Sequence, residues 1–116
     1  MAIKNTALTS TQVSALLDPV PAGASYAVTV MMVCNTATPD PQDEDAGADT
    51  LTVYIINGLP ASSAAPQYMV VNSVTIRAGE TFTLDTEKVI LEENDTIAAI
   101  SGSGTDLSAM VSYVEI

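Results

Sequence analysis

Apolar and polar positions alternate with a period of two along most of this chain, and no stretch sustains three turns of helical periodicity. The clearest case is ASYAVTVMMVCN (24–35). One face carries Tyr26, Val28, Val30, Met32 and Cys34; the other, assigned to the outside, carries Ser25, Ala27, Thr29, Met31, Val33 and Asn35. TLTVYIIN (50–57) sets Leu51, Val53 and Ile55 against Thr50, Thr52 and Tyr54. QYMVVNSVTI (67–76), TFTL (81–84), KVIL (88–91), DTIAAIS (95–101) and DLSAMVSYVEI (106–116) read as further strands. AIKNTAL (2–8) and TQVSALL (11–17) are weaker candidates, the second stopped by Asp18-Pro19.

Turn chemistry separates these runs at residues 19–23, Asn57-Gly58, 77–80, 93–95 and 102–104. About eight short strands with such punctuation predict an all-β, antiparallel sandwich, jelly-roll-like or immunoglobulin-like, in a single domain over 1–116. PAGASYAV (21–28) and RAGETFTL (77–84) repeat one turn-to-strand entry. TATPDPQDEDAGAD (36–49) breaks the rhythm: prolines and acids without an apolar anchor predict an exposed, mobile loop.

Composition narrows the function. The chain is 47% hydrophobic and only 15% charged, against roughly 25% charged in ordinary globular proteins. Thr, Ser, Ala and Asn fill the gap, so little charged surface keeps copies apart, and association is expected. The net charge of −11, with Lys4, Arg77 and Lys88 as the only cations, argues against nucleic acid and anionic membranes as partners. Cys34 is the only cysteine, which excludes an internal disulfide. Neither a signal peptide nor a membrane span of roughly 20 residues is expected.

Candidate chemistry is sparse. Without histidine, no Ser-His-Asp triad and no Cys-His pair can form, and zinc lacks its usual ligands. An EF-hand loop needs oxygen ligands first, third and fifth and glycine sixth, whereas a start at Asp43 puts Gly47 fifth and Ala48 sixth. A looser calcium site from Asp43, Glu44, Asp45 and Asp49 is the only weak metal candidate. Glu92, Glu93 and Asp95 would act as acid and base only in a cleft that separates their pKa values. Their setting, Glu-Glu-Asn-Asp between two strands, predicts a solvated hairpin turn instead. Gly102-Ser103-Gly104 lacks the lysine and helix of a phosphate loop. Neither an enzyme nor a cofactor is expected.

The order of features carries more. IKNTALTST, LLDPVPAGASYAV, a strand ending VCNT, LTVYIING, VNSVTIRAGETFTLDTEKVILEENDTIAAIS and a closing VSYVEI together resemble a family of small virion proteins of tailed bacteriophages. The resemblance covers most of the chain except 36–49; Asn94 stands where relatives often have Gly. It implies a virion structural protein, foremost a capsid decoration (cement) protein assembled in the host cytoplasm. Such a protein clamps major capsid subunits without covalent bonds and forms a homo-oligomer, by resemblance a trimer. The rival readings are a tail or fibre-adaptor component and, from another class, a calcium-dependent carbohydrate-binding module. The contact residues expected are Ala2, Ile3, Lys4, Asn5, Thr6, Ala7 and Leu8, in an N-terminal arm over about 1–12 that is dispensable for folding, together with the C-terminal strand. The acidic loop should point away from the contact.

Overall fold

A computed structural model describes residues 2–8, 11–84, 89–104 and 106–116. Its nine strands are β1 (Ala2–Leu8), β2 (Ser14–Leu17), β3 (Tyr26–Asn35), β4 (Asp49–Ile56), β5 (Met69–Ile76), β6 (Thr81–Leu84), β7 (Val89–Leu91), β8 (Thr96–Ser101) and β9 (Leu107–Glu115). Short 3-10 turns at Ala61–Ser63 and Pro66–Tyr68 are the only helical elements among the described residues. The fold is an all-β sandwich of two antiparallel sheets. Sheet one runs β1-β9-β3-β6, with β7 on the same side of β3 as a second short piece; sheet two runs β2-β8-β4-β5. With β6 and β7 counted as one broken strand, the first strand pairs with the last, the second with the next to last, and so inward. This is a long hairpin rolled on itself, closed by the β9-β3 and β8-β4 ladders: the jelly-roll order.

The core lies between the sheets. Leu8, Leu16, Val28, Met31, Val33, Leu51, Val53, Leu91, Ile97, Leu107, Ala109 and Val111 are buried there. A smaller cluster of Tyr54, Ile56 and Ala98 sits on the outer side of sheet two, roofed by Ala61, Ala64 and Tyr68 of the 3-10 segment. That roof explains why β4 is apolar on both faces at its C-terminal end.

The long strand β3 departs from simple alternation. Val28 pairs with Tyr113 and Val30 with Ser112, which leaves Thr29 as an extra residue on β3. Its hydroxyl lies 3.0 Å from Ser112 O and 2.9 Å from Ser112 Oγ, which pins the bulge. One inserted residue flips every later side chain to the opposite face. Val28 points into the core as expected, but beyond it Met31, Val33 and Asn35 are buried, while Met32 is exposed and Cys34 half-buried on the outside. The assignment of Val30, Met32 and Cys34 to the inner face is therefore corrected.

The phase change also buries Asn35, with no exposed surface, at the end of β3. Its Nδ2 donates to the carbonyls of Gly47 (2.8 Å) and Ile76 (2.9 Å), and its Oδ1 accepts the Ala37 N–H (3.0 Å). One side chain thus ties the acidic loop to the end of β5. At the same junction Gly79 has φ +79°, and a Cβ there would meet Pro39 Cγ at 2.8 Å.

Candidate functional site

Two of the carboxylates that the sequence raised as reactive candidates, Glu93 and Asp95, hold connections together. Asp95 Oδ2 accepts the Glu92 N–H (3.0 Å) and its Oδ1 the Gly58 N–H (2.9 Å). Glu93 Oε2 accepts the Gly23 N–H at 3.2 Å. Asn94 adopts the left-handed backbone, φ 70°, that its position in the turn requires. The turn expectation holds, but not the hairpin: β7 pairs with β3 in sheet one and β8 with β2 and β4 in sheet two, so 92–95 is a corner between sheets. Backbone bonds from Asn94 N–H to Val20 O (2.9 Å) and from Val20 N–H to Asp95 O (3.0 Å) fasten that corner to the β2–β3 connection.

The acidic loop is exposed, yet it is a run of turns. Asp40 Oδ1 accepts the Gln42 N–H (2.9 Å) and Asp43 Oδ1 the Asp45 N–H (3.1 Å). Arg77 lies 3.6 Å from Asp45 and 3.9 Å from Glu44 and partly offsets the local negative charge. These contacts and Asn35 anchor a segment that the sequence leaves without any anchor.

Asp49, the last member of the weak calcium set, lies elsewhere and is only 4% exposed. Its Oδ1 accepts the N–H groups of Thr50 (2.7 Å) and Ser103 (2.8 Å), and its Oδ2 the hydroxyls of Ser101 (2.6 Å) and Ser103 (2.7 Å). Burial by itself would push the carboxyl pKa up. The four hydrogen bonds to the ionised form outweigh it and hold the pKa below the ordinary value. The Gly102-Ser103-Gly104 loop does cradle an anion, and that anion is the chain's own Asp49. Asp43 and Asp45 therefore do not share a site with Asp49. Among the described residues no three His, Cys, Asp or Glu side chains are grouped to hold a metal ion.

One cleft of about 240 Å³ gathers Lys4, Asp18, Tyr26 and Tyr113. Lys4 Nζ donates to Asp18 at 2.9 Å, and the tyrosine rings stack on each other at 4.6 Å. Tyr26 is half-buried against the core rim, so one face of each ring is already taken. Partial burial first, then the neighbouring Tyr113 and Glu115, raise the Tyr26 pKa above its usual value, so its hydroxyl stays protonated.

What remains is surface. Within the strands the only charged residues are Lys4, Asp49 and Glu115; every other charge among the described residues lies in a connection. The outer face of sheet one consequently carries cross-strand rows with no charge at all: Asn5–Met110–Met32–Thr83, Ala7–Ser108–Cys34–Thr81 and Val114–Ala27–Ile90. Ile3 (60% exposed) and Ile90 (54%) stand out at its two sides. Residues 2–8, expected in a free arm, are the edge strand of this sheet. β1 pairs with β9 through seven consecutive positions, and Leu8 is 1% exposed within the core. Alternation in AIKNTAL is the signal for a strand; of the polar residues that suggest an arm, Asn5 faces outward, while Lys4 and Thr6 lie on the same side as Leu8, opposite Val111 and Ala109. Compared with known protein families and with curated proteins, the chain matches none.

Proposed function

We propose that the chain is a structural protein of a bacteriophage virion, in first place a capsid decoration protein that reinforces the shell through non-covalent contacts with the major capsid subunits and with its own copies. The observation that carries this reading is the segregation of charge. Among the described residues every charge but those of Lys4, Asp49 and Glu115 sits on a connection, and the outer face of sheet one is pleated and carries rows without charge. Such a face loses nothing by being covered, whereas a solitary acidic protein gains solubility by spreading its charge over all of its surface. The jelly-roll order agrees with the reading, since viral shell subunits use it, as do lectins and other folds that share nothing else with them. The turn motifs point the same way. The carboxylates of Glu93, Asp95 and Asp49 accept from backbone N–H groups and hydroxyls, which favours a structural role over a catalytic one.

The test is quantitative mass spectrometry of gradient-purified particles from an infected host. A copy number comparable with that of the major shell subunit supports decoration. A handful of copies per particle would move the chain to the tail, and its absence from the particle would defeat the virion reading altogether.

A further inference from the structure

The sandwich has four sheet edges, and three of them are blunted against pairing. β2 has four residues and a register shift between Ala15 and Leu17. β5 shifts register twice against β4 and holds Ser73 at φ 52°. β6 and β7 are short separate pieces of four and three residues. Short strands, bulges and breaks are how sheets keep strangers from adding on. β1 has none of these devices: seven residues in unbroken register on β9, without proline. None of the described connections forms a backbone hydrogen bond with it.

Its sequence fits its own copy. When two β1 strands run antiparallel about a two-fold axis through Asn5, Ala2 meets Leu8, Ile3 meets Ala7, Lys4 meets Thr6 and Asn5 meets Asn5. Each large aliphatic side chain then stands opposite a small one, and the face parity of every position is kept. A register centred on Lys4 would set two ammonium groups against each other. Charge favours the same edge: in a chain of net −11, residues 2–8 contain no acid, and the single charge, Lys4, is bound to Asp18 of the same chain.

We infer that β1 is a docking edge for a second copy of this chain, joining two sheets one into a single continuous sheet about a two-fold axis at Asn5. This holds whatever the virion role, and it replaces the three-fold arrangement implied by resemblance with a two-fold pair. An edge-to-edge junction buries far less than the roughly 1,600 Å² of a standard interface, so the pair depends on concentration. Salt strengthens it by screening repulsion between the acidic bodies.

Sedimentation velocity of the full chain over a concentration series, at low and high salt, reads the pairing directly. The expected result is a monomer–dimer equilibrium that shifts to dimer with added salt. Asn5→Lys puts like charges face to face and should weaken the dimer about tenfold or more. Asn5 is exposed, so the melting temperature of the monomer should not change. In a Cys34→Ser background, Asn5→Cys should form an interchain disulfide on mild oxidation, because directly opposed residues lie within disulfide reach. A monomer at every concentration, a trimer, or a dimer indifferent to Asn5→Lys would each overturn the inference.

Discussion

Replacing Asn35 isolates the contribution of one buried amide to the position of the acidic loop. Asn35→Ala removes three hydrogen bonds, to Gly47 O, Ile76 O and from Ala37 N–H, at a site with no exposed surface. At about 1 kcal/mol net each, with more where a buried carbonyl is left unpaired, the loss is about 3–5 kcal/mol. That is a large part of the roughly 5–15 kcal/mol that holds a domain of this size, and it should lower the melting temperature by about 10–15 °C. The near-isosteric Asn35→Asp is the sharper probe. It turns an oxygen, in place of the donating Nδ2, toward two carbonyl oxygens. The folded state then resists ionisation, so the folded pKa of the new carboxyl rises above its unfolded value of about 3.9. With a raised folded pKa, the cost is smallest below the unfolded pKa and grows as pH rises until the folded pKa is reached. Chemical denaturation at several pH values should therefore show Asn35→Asp below Asn35→Ala at neutral pH and gaining on it near pH 4. If Asn35→Asp matched the unsubstituted chain at neutral pH, the amide would not be donating to those carbonyls.

Further outcomes follow from the hydrogen bonds of Asp49 and from the pairing of β1 with β9. Asp49 has a lowered folded pKa, so its stabilising effect is complete above its unfolded pKa near 3.9 and is lost as pH falls through the folded value. Asp49→Asn should cost about 1–3 kcal/mol at neutral pH, and denaturation curves should show that gap closing on acidification. Asp43→Asn and Asp45→Asn, at exposed positions, should change little; a gap for Asp49→Asn that stays constant down to pH 2 would contradict the account of its carboxylate. Leu8→Ala should destabilise by about 2–5 kcal/mol in urea unfolding, and removal of residues 2–8 should leave an unfolded or aggregating chain, contrary to a dispensable arm. A truncated chain with unchanged circular dichroism and melting would restore the arm.

Period-two alternation and turn residues were enough to place every strand to within a few residues, because both are local: side chains alternate by pleat, and Gly, Asn and Pro mark where the backbone must reverse. The pattern places β6 at its observed bounds, Thr81–Leu84, and the all-β class follows from it. The charge and the missing histidine were equally legible. The inner face of β3 beyond Val28 was not, since the bulge at Thr29 depends on a hydroxyl contact with Ser112, 83 residues away. Nor was the partner of Asp49, which sits among acids in sequence and among serines in space. Pairing order was also hidden: nothing near 92–95 tells a hairpin from a corner between sheets, because that is settled by which strand each neighbour finds across the roll. Strand positions and composition belong to the sequence by itself. Which face is buried, which acid is sequestered and which edge stays open were decided only when distant strands met, because each depends on contacts made across the fold.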